Sequence, residues 1–116
     1  MPSSKPAGRL QDIIDNAEAA LNYTQGLDET SLDENRLVYD AVERCLERIS
    51  EAVTKLGDQA QILLPDQPCR AIRALGNRLR HSYDDIGRDH VWEIVRDDLR
   101  PLILSCKKAL NEQPHG

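Results

Sequence analysis

The 116-residue chain has no phenylalanine, one tryptophan and three tyrosines, so aromatic side chains make up only 3% of it. Sheets lean on aromatic and β-branched residues in alternation with polar ones, and no stretch here alternates in that way. Leucine and alanine dominate the apolar set instead, which predicts an all-α fold. No uninterrupted apolar run exceeds three residues, as at Ile62 to Leu64, and residues 1–8 carry no apolar stretch. Neither a membrane span nor a secretory signal is expected, and the chain reads as soluble and cytoplasmic. Cysteine is scarce too. Cys45, Cys69 and Cys106 are odd in number, far apart and free of any CxxC or Cys/His spacing, so they read as reduced thiols rather than a disulfide framework or zinc site. His81, His90 and His115 are equally dispersed, and neither metal nor cofactor is expected.

Positive charge is in deficit: 15 Lys and Arg stand against 20 Asp and Glu, a formal net charge of -5. That excludes indiscriminate binding of nucleic acid through the whole surface and confines any such contact to a local patch. With 40% hydrophobic and 30% charged residues the chain lies in the globular range, at a length suited to one domain.

Helical periodicity organises the rest. Residues 1–8, rich in Pro, Gly and Ser, read as a flexible leader, residues 9–111 as the folded bundle and residues 112–116 as a tail. Leu10, Ile13, Ile14, Ala17, Leu21 and Thr24 define a first helix from Arg9 to about Gln25, ended by Gly26. Asp28 and Ser31 are alternative N-caps of a second, which runs to about Leu56 before Gly57. Along it Val38, Val42, Cys45, Ile49, Ala52 and Leu56 step by four and three, a seam like that of a coiled coil. A helix of about 25 residues is roughly 37 Å long, more than so small a domain needs, and this predicts that part of the seam faces a second copy. A third helix spans Pro68 to His81, and a fourth starts near Asp89 with Val91, Trp92, Ile94 and Val95 as core. Pro101 should kink it or restart it as a fifth, Leu102 to Leu110. The expected architecture is an antiparallel bundle of four to five helices that dimerises through its long helices.

The third helix carries the chemistry. On a helical wheel Ile72, Leu75 and Leu79 cluster within about 60° and point inward, while Arg70, Arg73, Asn77, Arg80 and His81 share the opposite side within about 100°. Five arginines lie between Arg70 and Arg88, and three fall on this one stripe. Arginine suits phosphate, which it grips through paired hydrogen bonds. An imidazole at His81, titrating near neutral pH, could take a proton from a ribose 2'-hydroxyl while arginine steadies the phosphate, a cleavage of RNA that needs no metal.

The segment Asn77-Arg-Leu-Arg-His81-Ser-Tyr83-Asp-Asp-Ile86, followed by Asp89-His-Val-Trp92 and Asp98-Leu99-Arg-Pro-Leu102, resembles the HepT-like group of HEPN domains. Upstream, Tyr23-Thr-Gln-Gly26 also fits, and Ile49-Ser-Glu-Ala52 is similar to that group's Ile-Gly-Glu-Ala stretch. The resemblance implies a homodimer of helical bundles with its active sites along the subunit interface, and a metal-independent ribonuclease toxin paired with a minimal nucleotidyltransferase antitoxin. It further implies that the antitoxin transfers AMP to the tyrosine of the His-x-Tyr motif, here Tyr83, with His81 as the acid or base. The group's arginine directly precedes the asparagine, and that position is Gly76 in this chain. Arg73, three residues earlier, is the candidate substitute, with Asn77 beside it and Arg70 and Arg80 as further phosphate contacts. The alternative is a catalytically inactive HEPN module that binds RNA, nucleotide or a nucleotidyltransferase, and a third possibility is a purely structural adaptor.

Overall fold

Proline at a first helical position costs no hydrogen bond, and Pro6 opens α1 (Pro6–Tyr23) in that way. In the computed structural model, which describes residues 5–81 and 88–112, α1 therefore begins three residues inside the segment read as a leader. Two helices follow where the sequence suggested one. Asp28 caps α2 (Glu29–Glu34) reciprocally with Ser31: its carboxylate accepts from the Ser31 N–H at 2.8 Å, and the Ser31 hydroxyl accepts from the Asp28 N–H at 2.9 Å. Ser31 is thus the third helical residue rather than the cap. Asn35 leaves helical geometry and caps α3 (Arg36–Leu56) by accepting from the Val38 N–H, so a local side-chain bond divides the expected long helix. Gly57 ends α3 at φ +61°, a conformation that disfavours any side chain.

The short α4 (Gln59–Leu63) leads through Pro65 and Pro68 into α5 (Cys69–His81). After α6 (Arg88–Glu93) the helix widens into a π turn, Ile94–Asp98, in which the Leu99 N–H reaches back to the Ile94 carbonyl. It tightens again as α7 (Leu99–Asn111). The break falls before Pro101 rather than at it. Pro101 then sits in the first turn of α7, where its missing N–H would have had no helical partner.

Packing explains the order of these elements. Leu10, Ile13 and Ala17 of α1 are fully buried between α3 and α7, which contribute Val42, Leu46, Val53, Leu99 and Cys106 to one core. Each large aliphatic side chain so buried adds about 2–3 kcal/mol. The seam on α3 is consumed here: Val42, Cys45, Ile49, Ala52 and Leu56 are all buried within the single chain and Val38 is half-buried. The seam therefore does not by itself call for a second copy. Helix α5 packs chiefly on α3, at the margin of the bundle. Its Ile72, Leu75 and Leu79 touch the core but are only half-buried, whereas Cys69 and Gly76 are its buried positions. Between α5 and the π turn runs an apolar groove of about 380 Å³, floored by Leu46, Ile49, Leu99 and Leu102. Among the described residues there is no strand, and no helix is long and apolar enough to cross a membrane.

All three thiols are free and buried. Burial, with Cys69 nearby, pushes the Cys106 thiol up to about 12, while an unfolded chain's thiol ionises near 9.0. Stability from this group is therefore complete below pH 9 and is lost as pH rises from about 9 towards 12, because only the unfolded form gains by ionising. The expected outcome is that a chromogenic disulfide reagent leaves Cys106 untouched at pH 8 until urea unfolds the protein. The urea midpoint should fall above pH 9, and Cys106→Ala should partly flatten that fall; a Cys106 thiol that reacts at the rate of a free one would contradict the burial.

Candidate functional site on the open side of α5

From Cys69 to His81 the sequence of α5 contains four arginines and no carboxylate, so nothing on the helix itself neutralises its positive face. The helix is held against α3 at one crossing point. Gly76 is buried, and a Cβ built there would collide with the side chain of Ser50, meeting its Cβ at 2.6 Å. Ser50 is itself 1% exposed and donates from its hydroxyl to the Arg73 carbonyl at 3.2 Å. A glycine within a helix costs about 1 kcal/mol relative to alanine, and the close approach of α3 is what that cost secures.

The missing side chain also leaves room for a guanidinium. Arg80, one turn on, folds back so that its Nη1 lies 3.3 Å from where a Gly76 Cβ would stand. Its Nη2 donates to the Asn77 Oδ1 at 2.8 Å. Arg80 is thus the arginine whose guanidinium lies beside position 76. Arg73 is half-buried, its carbonyl occupied by Ser50, and its charge acts on Cys69, whose thiol burial pushes up and Arg73 draws partly back. Arg80, at i+4, shares the helix face of residue 76.

The other expected residues are distributed as follows. Asn77 and Arg70 are exposed on the same side, and His81 is the last residue of α5. Tyr83 lies outside the described residues. Trp92 is half-buried against the core, beside the turn that follows α1. His90 lines the mouth of the apolar groove with Asp97 and Asp98, away from the stripe. Burial, the neighbouring Asp97 and Glu93 raise the Asp98 carboxyl, and the positive field of His90 opposes them. No group of three or more His, Cys, Asp or Glu among the described residues could hold a metal ion. Ser50 was the residue missed by sequence reading; an isolated glycine inside a helical pattern is the signal that asks for a close neighbour.

The family model for HepT-like ribonucleases matches residues 13–109. The chain belongs to that family. Among curated proteins it is similar to Putative RNase MJ0125 of Methanocaldococcus jannaschii, 26% identical over 112 residues that cover 97% of each chain. It is also similar to Putative RNase MJ1216 of the same organism, 25% identical and covering 97% of this chain and 93% of that one. A third relative there, Putative RNase MJ1380, is 30% identical over 78% of this chain and 83% of its own length. No solved structure matches significantly. The resemblance in the Ile49-Ser-Glu-Ala52 stretch now acquires a steric meaning. Glycine in place of Ser50 would free the space that a side chain at position 76 needs.

Gly76→Ala should accordingly lower stability by about 1–3 kcal/mol in urea unfolding, because Ser50 is buried and tied to Arg73 and cannot give way. In a Ser50→Gly background the same change should be neutral or stabilising by up to about 1 kcal/mol, since only helix propensity remains. Equal effects in the two backgrounds would sever the proposed contact.

Proposed function

We propose that the chain is a metal-independent endoribonuclease, the toxin of a toxin–antitoxin pair. The observation that carries this reading is the Arg80 guanidinium laid over Gly76 and bonded to Asn77, one residue before His81. Membership in a ribonuclease family supports it. In this reading an RNA phosphate rests against Arg80 and Asn77, with Arg73 and Arg70 along the same stripe. His81 accepts the proton of a ribose 2'-hydroxyl as its oxygen attacks the adjacent phosphorus, and the 5'-oxygen departs with a proton taken from water, leaving a cyclic phosphate and a 5'-hydroxyl. Developing negative charge on the phosphate oxygens is met by guanidinium donors in a helix that offers no competing carboxylate.

Two partners belong to the proposal. A second copy of the chain would cover the half-buried Ile72, Leu75 and Leu79. A minimal nucleotidyltransferase would silence the enzyme at Tyr83: the phenol oxygen attacks the α-phosphorus of ATP, pyrophosphate leaves, and the tyrosine keeps an AMP phosphodiester. That anion would compete with RNA for Arg80 and Arg73. A second reading, a non-catalytic module that binds RNA or the nucleotidyltransferase, is favoured by Gly76, where the resemblance calls for arginine.

Purified protein should cleave RNA in EDTA. His81→Ala should abolish cleavage without unfolding the chain, and Arg80→Ala should slow it on the order of 10²-fold, with a smaller loss for Arg73→Ala. Binding of RNA without cleavage would select the second reading.

Native mass spectrometry tests the partners together. The 13.1 kDa chain should appear as a dimer, and after co-expression with the neighbouring nucleotidyltransferase each copy should gain roughly 330 Da or a multiple of it, an addition erased by Tyr83→Phe. A monomer, or an unmodified mass beside an active nucleotidyltransferase, would refute the respective part.

A further inference from the structure

Beyond α5, positive charge continues onto α3, against which it packs, and onto α1 on the far side of α3's exposed stripe. On α3, Arg44, Arg48, Glu51 and Lys55 recur at four- and three-residue steps and share one exposed stripe about 16 Å long. Across from it on α1 lie Arg9, Asp12 and Asn16. Between the two helices runs a groove of about 290 Å³ floored by Ala52, with four cations and two carboxylates on its walls. In a chain of net charge -5 this is a local reversal of sign.

The carboxylates do not use up those cations. Glu51 is held by Lys55 at 3.1 Å, and that pairing, followed by the fields of Arg44 and Arg80, draws its carboxyl below the ordinary range. Arg80 of α5 and Arg44 of α3 thus both act on this one carboxylate, which lies between the α5 stripe and the groove. Arg9 approaches Asp12 only to 3.6 Å, and its buried Nε has no hydrogen-bond partner among the described residues. Arg48 is exposed and makes no ion pair among the described residues; its charge is felt by the Cys45 thiol. Arg44 holds Glu47 at 3.2 Å, in an exposed pair of the kind that contributes little and exchanges readily.

We propose that the groove between α1 and α3, rimmed by Arg9, Arg44, Arg48 and Lys55, is a second RNA-backbone contact that carries the strand away from the α5 site across Glu51. The proposal rests on the reading of the protein as an RNA-binding enzyme and adds to it a surface remote from the reacting atoms. Such a contact gives no sequence preference, because it touches phosphate and not base edges. It acts through release of condensed cations, so its contribution is read in salt dependence rather than in rate.

The test uses a fluorescently labelled single-stranded RNA of about 15 nucleotides, with binding followed by anisotropy from low to moderate salt in the His81→Ala background. Each phosphate contact removed should reduce the slope of log K against log salt by about 0.7 for a single strand. Arg48→Ala should therefore lower the slope by about 0.7 and Arg44→Ala/Arg48→Ala by about 1.4. With His81 present, the same double variant should cleave saturating RNA at the wild-type rate, with a raised KM. An unchanged slope in the double variant, while wild type still binds and cleaves, overturns the groove and leaves the nuclease reading intact; the patch would then suit an acidic protein surface. Binding that depends on Arg44 and Arg48 without any cleavage by wild type would keep the groove and overturn the nuclease reading. Absence of RNA binding altogether overturns both.

Discussion

The site depends on one crossing, where Ser50 of α3 meets the bare backbone of Gly76 on α5. Helix α5 has little else to hold it: it stands at the margin of the bundle, its apolar residues half-covered, and its arginines face outward. The Ser50 hydroxyl bonded to the Arg73 carbonyl fixes where the helix lies, and the absence of a side chain at 76 fixes how closely it approaches. The same vacancy that admits Ser50 on one side admits the Arg80 guanidinium on the other, so the packing of α5 and the placing of an arginine meet at a single residue.

This coupling alters what a missing active-site arginine means. A side chain at position 76 would project from the helix axis directly, whereas Arg80 arrives from one turn away, along the helix, with Asn77 as its anchor. The charge is kept while its origin changes. An Asn–Arg pair of this sort is also more constrained than a lone exposed arginine, because the amide oxygen fixes one edge of the guanidinium and leaves the remaining N–H groups for a ligand. Electrostatically the site works against the mean of the molecule. Acidic residues are numerous elsewhere, and their exclusion from α5 gives a local field of opposite sign that selects where an anion can approach.

Much of the fold was legible because helices announce themselves through spacing. The seam from Val42 to Leu56 and the apolar set of α1 were read residue by residue, and the third helix ended at His81 as expected. What the pattern could not reveal was who covers each stripe. The seam on α3 seemed to exceed the needs of one chain, yet α1 and α5 cover it, since periodicity identifies a buried face without naming its partner. The break at Asn35 was hidden for a related reason: a single side-chain acceptor can outcompete helical continuation, and asparagine does so in only some contexts. At the site, residue identities were legible but their mutual geometry was not. Arg73 and Arg80 are equivalent on a wheel, and only the three-dimensional crossing with α3 shows which of them reaches over Gly76.

The π turn before α7 is, in chain terms, one surplus residue. Removing a residue between Ile94 and Asp98 would take out the π turn, and everything before it would rotate by about 100° relative to α7. Val91 would leave the core and Trp92 would exchange surroundings with its neighbours. Alignment at this place is therefore a matter of length as much as of identity. A relative that kept every residue type but lost one position here would turn a different face of α6 towards the core.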